Sequence, residues 1–279
     1  MFRFILFVNL IVVLGSFTTA DDNAKALALL RGVEKERLKY DRFHIRYEEH
    51  RAESAQTSEQ IVDFDRGKIR KEHLPGKSFA GKKSILLEDV VYSMTSYDDD
   101  HVAIVPHQST IAFGAGIYDP RLLGLTDMMM HDKDVSACLL YKTRGNFSVS
   151  REDMGDRSVF VVECRDGEEN GLAHFKLYIE EPGFLLVRLS VLSLRDKIQI
   201  DNEYSEKNFL PFPTKTHIYR VATQDGKEVV EFDRHITVKD VQIKKSFPPE
   251  TFTLAGLNPP LNSDVVDYRI SRRLGYWDG

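Results

Sequence analysis

Cysteine is nearly missing from this chain of 279 residues, which has two, Cys138 and Cys164. With no Cys-x-x-Cys pair and no clustered histidines, a structural zinc site is not expected. Long apolar runs are also missing once the first twenty residues are passed. Even the richest stretch, 184–194, is interrupted by Arg188 and is only strand-sized, too short to span a bilayer. Neither sign of charge is in large excess: 38 Lys and Arg stand against 43 Asp and Glu, for a formal net charge of -5. The two signs are interspersed, which leaves no electrostatic footprint for nucleic acid.

Catalytic signatures are absent too. There is no Gly-x-Ser-x-Gly elbow, no His-Glu-x-x-His and no cysteine beside a base. Gly114-Ala115-Gly116 lacks the third glycine and the strand-then-helix setting of a dinucleotide loop. The acid pairs Glu48-Glu49, Glu168-Glu169 and Glu180-Glu181 alternate faces or sit at turns. The densest set of metal-ligand types, Asp98-Asp99-Asp100-His101, lacks the glycine and distal glutamate of a calcium loop and reads as a charged turn. The nine histidines are scattered, and His44 and His50 read as solvated strand residues near Glu48 and Glu49. No enzyme, no cofactor and no metal site is expected.

What is present begins with Arg3, an apolar run over 4–14 broken by Asn9, and small residues at Thr18-Thr19-Ala20. This is the layout of a bacterial secretory signal, with the cut expected after Ala20 and the product periplasmic or secreted. The other reading, an uncleaved anchor, has a run shorter than the roughly 20 apolar residues that a spanning helix needs. In an oxidising compartment Cys138 and Cys164 admit a disulfide, worth about 3 to 4 kcal/mol on the loop-entropy model. Two buried, unpaired thiols are the alternative, because spacing alone does not bring two Cα atoms into bonding range.

Residues 24–39 carry Ala26, Leu27, Leu30, Val33 and Leu38 at helical spacing. From Tyr40 the period becomes two: Phe43, Ile45 and Tyr47 alternate with Arg42, His44, Arg46 and Glu48. Similar alternation fills 61–64, 68–71, 85–94, 102–105, 158–164, 172–179, 184–192, 217–222 and 228–238. Turns at Asp65-Arg66-Gly67, Glu181-Pro182-Gly183 and Asp225-Gly226 make these hairpins, hence an antiparallel sheet. In the central hairpin Ala173, Phe175, Leu177 and Ile179 are expected on one face, with Leu185, Val187, Leu189 and Val191 on the same face of the partner strand. A second helix is expected over 120–130, opened by Asp119 as cap and Pro120 in the first turn. The expected fold is α+β, mainly β, with residues 21–279 forming one domain; a split near residue 135 is the alternative.

Several stretches resemble the LolA-like superfamily of periplasmic proteins, which includes the outer-membrane lipoprotein carrier and the lipid-sensing part of the sigma-E regulator. They are Phe43-His44-Ile45-Arg46-Tyr47, the stretch 61–70, Asp119-Pro120-Arg121-Leu122-Leu123-Gly124-Leu125 and the stretch 238–252. The tail, with Val265-Val266-Asp267-Tyr268 and Gly275-Tyr276-Trp277-Asp278-Gly279, is similar to uncharacterised secreted bacterial relatives. The resemblance implies a strongly curved antiparallel sheet, an incomplete barrel covered by a few helices, around an apolar cavity for acyl chains. Burying a chain of about 14 to 16 carbons contributes roughly 11 to 13 kcal/mol before entropy and strain, at about 0.8 kcal/mol per methylene.

Two functional expectations arise. One is a monomeric, non-enzymatic binding protein that holds a lipid or the acyl group of a lipoprotein against Phe43, Ile45, Tyr47, Phe64, Phe175, Leu177, Leu185 and Val187. It meets membranes only transiently or through a partner. The other is an envelope regulatory or protein-interaction module whose core is filled by its own side chains.

Overall fold

Side chains that alternate between oil and water along an extended chain force each strand to bury one face, and hairpins line such strands up edge to edge. In a computed structural model of the chain, the described residues are 20–78, 80–94, 101–106, 119–126, 135, 146–165, 174–192, 196–205, 211–224 and 227–279. They begin with α1 (Ala20–Leu38), followed by β1 (Arg42–Arg51), β2 (Gln56–Asp65), β3 (Lys68–His73), β4 (Lys83–Leu87), β5 (Val90–Met94) and β6 (His101–Pro106). Next come β7 (Asn146–Met154), β8 (Arg157–Arg165), β9 (His174–Glu180), β10 (Leu185–Leu192), β11 (Asp196–Glu203), β12 (Lys215–Gln224) and β13 (Lys227–Ile243). A short α2 (Leu254–Leu257), then β14 (Asp264–Asp267) and β15 (Arg272–Tyr276) complete the order. No helix among the described residues is long and apolar enough to cross a membrane.

All fifteen strands join one sheet, in the order β15-β14-β6-β5-β4-β3-β2-β1-β13-β12-β11-β10-β9-β8-β7. The sheet is open, with β15 and β7 as its edges. Its pairings are antiparallel as expected, with one correction: β14 runs parallel to β6. The stretch 85–94 is a hairpin rather than one strand, turning at Glu88, whose φ is 56°. Arg66 and Gly67, at φ 50° and 89°, make the primed turn between β2 and β3 that matches the twist of paired strands. The Asp225-Gly226 turn lies outside the described residues.

Helix α1 carries Asp21 and Asp22 in its first turn and Lys35 and Arg37 in its last, which complements the helix dipole. Its buried stripe is Ala26, Leu29, Leu30 and Val33, while Leu27 and Leu38 face outward. Asn23 Oδ1 accepts a hydrogen bond of 3.2 Å from Phe147 N on β7. A Cβ at Gly32 would collide with the Phe184 ring, so glycine is what lets the helix backbone rest on the tip of the β9–β10 hairpin.

The expected helix over 120–130 is corrected. Asp119 does cap, accepting from Arg121 N at 2.9 Å, yet the cap opens only a single 3-10 turn, Pro120–Leu122. Gly124, at φ 76°, ends it, and 127–130 lie outside the described residues.

Burial is doubled over β4, β5 and β6. Their inner residues Leu86, Val91, Ala103 and Val105 join the main core. Their outer residues Ile85, Met94, Val102 and Ile104 form a second core with Phe252, Leu257 and Val265 from the chain's last part. Strands covered on both faces read as continuous apolar runs, as 102–105 does.

Candidate functional site

The inner face of the sheet is graded along its strands. One register row crosses six of them as Val105, Val91, Leu86, Ile69, Phe64 and Phe43, all apolar and buried. The next row reads Ala103, Ser93, Ser84, Lys71, Val62 and Ile45, and the one after it His73, Gln60 and Tyr47. Beyond these lie Glu49 opposite Ser58 and Arg51 opposite Gln56.

At the apolar end Phe43 stacks on Phe64 with centroids 5.0 Å apart and meets Phe212 at 4.8 Å. At the other end Glu49 holds an ion cluster. Its Oε1 lies 3.0 Å from Arg234 Nε and accepts from Arg51 Nε at 2.7 Å, while Oε2 accepts from Gln60 Nε2 at 3.3 Å. Burial pushes the Glu49 carboxyl up, but Arg234 and Arg51 outweigh it and hold the group below its ordinary value. Lys71 is half-buried as a residue, and its ammonium sits deep among protein atoms. Burial brings that amine down to about 8 against the counter-pull of Glu49. His73 is brought down to about 3, by burial first and then by Lys71 and Lys82.

The segment 119–126 covers this face. Leu122, Leu123 and Leu125 are buried in the main core. Arg37 of α1 donates to Leu123 O at 2.9 Å, and Asn202 Nδ2 of β11 donates to Gly124 O at 2.9 Å. A Cβ on Gly124 would collide with the Asn202 side-chain amide, so no other residue permits this approach. Asn202 Oδ1 in turn accepts from Thr216 Oγ1 at 2.8 Å. The Arg121 guanidinium, clamped to Asp119, lies 4.4 Å from the Phe64 ring centroid. Between segment and sheet remains a cavity of about 10 Å³ lined by Ile45, Tyr47, Val62, Ile69, Lys71, Pro120 and Leu123. That is space for about one water molecule.

Of the residues expected to line an interior, Phe43, Ile45, Tyr47, Phe64, Phe175 and Leu177 all join the main core. Val187 does not. A bulge between Leu186 and Arg188 inserts one residue, so Leu186 takes the inner position and Val187 packs with Val159 and Val161 on the other side. Leu185 is shifted likewise and lies half-buried opposite Glu180. Cys164 is buried on the inner side of β8, and Cys138 lies outside the described residues. Asp98, Asp99 and Asp100 also lie outside them, while His101 opens β6 and meets Tyr268 Oη at 3.2 Å.

The ion cluster is not among the sequence expectations, although a signal for it exists. Glu49 and Arg51 continue the odd-numbered face of Phe43, Ile45 and Tyr47, so the alternation itself carries charge inward. The expectation of scattered histidines is corrected as well: His217 and His235 face each other across β12 and β13 on the outer side.

A DUF1329 family protein from Desulfovibrio piger superposes with a TM-score of 0.53 at 10% identity, covering 85% of this chain and 99% of its own. The chain shares that protein's fold. A domain described as a putative outer membrane lipoprotein-sorting protein from Vibrio parahaemolyticus also matches, with TM-score 0.47, 9% identity, and coverage of 83% and 99%. A LolA superfamily protein from Nitrosomonas europaea gives 0.44, 12%, 83% and 98%. At those distances neither match carries anything over to this chain. The LolA-like resemblance read in the sequence finds neighbours of that name among solved structures, and the fold established is the one shared with the DUF1329 protein. No protein-family model matches the sequence, and no curated protein matches it.

Proposed function

We propose that the chain is an exported, non-enzymatic binding protein, one domain from residue 21 to 279, that takes an acyl chain of a lipid or lipoprotein into the sheet's interior. The observation that carries this is the apolar row from Val105 to Phe43, with the short segment 119–126 packed into the same core. That segment touches β2 through Arg121 and β11 through Gly124, which fits a sheet bent around it as an incomplete barrel. In the ligand-free form the segment occupies the interior. An entering acyl chain displaces Leu122, Leu123 and Leu125 and replaces their apolar contacts with its own. The graded face orients the ligand, with its tail toward Phe43 and its polar head toward Glu49, Arg51 and Lys71.

The second reading is an envelope regulatory or interaction module. The cavity of about 10 Å³ favours it, because between the segment 119–126 and the sheet the described residues leave little space for cargo.

Native mass spectrometry of protein purified from a bacterial host separates the two. The binding reading expects a co-purified acyl lipid, carried at higher occupancy by Leu123→Ala, which enlarges the cavity and loosens the segment. Ligand-free protein in both forms, with unchanged circular dichroism, overturns it in favour of the filled module.

A further inference from the structure

We infer that His217, Asp233 and His235 form a site for a divalent transition-metal ion of the zinc class on the outer face of the sheet. The placement arises from strand register. His217 of β12 and His235 of β13 are direct partners, and Asp233 lies two residues before His235, so period two puts all three side chains on one face. The neighbouring positions 216, 218, 234 and 236 are buried, so this face is the outer one. The site is thus separate from the interior proposed to hold an acyl chain.

The donors converge. His217 Nε2 lies 2.8 Å and His235 Nε2 3.2 Å from the same oxygen, Asp233 Oδ1. The two rings stack with centroids 4.1 Å apart and an interplanar angle of 10°. All three ligand atoms lie within 4.8 Å of one another. Bonds of about 2.0 to 2.2 Å to a tetrahedral zinc place neighbouring ligand atoms roughly 3.3 Å apart. A small turn of the side chains therefore makes room for the ion without moving the backbone, which the β12 and β13 ladder fixes.

Ligand chemistry selects the metal class. Two imidazoles and one carboxylate suit zinc and its borderline neighbours, whereas calcium and magnesium want oxygen throughout. Side-chain exposures of 37%, 33% and 51% for His217, Asp233 and His235 leave the ion a path from solvent. A depression of about 200 Å³, lined in part by His217, His235, Thr216 and Lys215, leaves space for a water or an exogenous ligand at the open position. The Lys215 ammonium beside it is held by Glu203 at 2.9 Å. A further histidine, His50, stands opposite His235 in the register of β1, with its Nδ1 3.1 Å from Thr57 Oγ1.

The test uses tag-free protein stripped with a chelator, then titrated with zinc chloride by calorimetry and with cobalt chloride by visible absorption. The expected result is one equivalent of zinc and a cobalt d–d band. His217→Ala and His235→Ala each weaken binding by about tenfold or more. Asp233→Asn also weakens it, with far-UV circular dichroism unchanged, while His101→Ala binds as the parent does. Absence of stoichiometric zinc binding by the parent below about 100 µM overturns the site. Equal zinc affinity in a folded H217A/H235A double variant does so too.

Discussion

At the Phe43 end of β1 the inner face is a stack of aromatic rings, whereas at the Arg51 end the same face is a knot of charges around Glu49. The two ends share a strand and a sheet, yet different physics holds them. Rings are stabilised by volume filled and area removed from water, so any loss of atoms leaves a gap. Charges are stabilised relative to one another, and what matters there is whether each still has its partner.

The contrast is sharpest in single against double substitutions. Phe43→Ala is expected to cost about 3 to 5 kcal/mol in denaturant unfolding, and shrinking Phe64 as well makes the loss larger. Glu49→Gln, which leaves Arg234 and Arg51 without their carboxylate, costs about 3 kcal/mol. Replacing the pair together, Glu49→Leu with Arg234→Met, recovers that loss to within about 1 kcal/mol of the parent. A double variant less stable than Glu49→Gln alone breaks the distinction between the two ends.

The last contrast is in pH dependence, and it belongs to the charged end alone. Unfolded lysine titrates near 10.5 and folded Lys71 near 8, so between these values the unfolded chain binds the extra proton. Stability therefore rises with pH across that window, the penalty being complete below 8 and gone above 10.5. His73, near 3 against an ordinary 6.5, gives the same sign lower down: stability falls as pH drops through that interval. Lys71→Met flattens the alkaline limb and His73→Gln softens the acid one, while Phe43→Ala changes neither slope. Melting temperatures measured across pH 3 to 10.5 check all three.

Most of the sheet is legible in the sequence because period-two alternation is a local signal and the hairpin turns carry their own chemistry. The strands β7, β11, β14 and β15 are not. In β14 the alternation is only four residues long, and in β7 and β11 charged residues dilute the apolar positions. The bulge before Arg188 leaves no mark in composition, so strict alternation puts the face of β10 one residue out of step at Val187. The inner face is visible as a face, but its gradient from Phe43 to Arg51 emerges only when rows are read across strands. The pairing of His217 with His235 is likewise a property of register, since eighteen positions of sequence hide what one hydrogen-bonded ladder makes adjacent.

The parallel seat of β14 beside β6 has a consequence for how the molecule comes together. From the moment β6 forms until residues 264–267 arrive, the far side of β6 offers a line of unmatched amides and carbonyls to any passing chain. The oily outer flank of β4 to β6 likewise waits for Phe252 and Leu257. The tail thus covers the β6 edge and that oily flank together, leaving the five-residue β15 as the sheet's edge on that side.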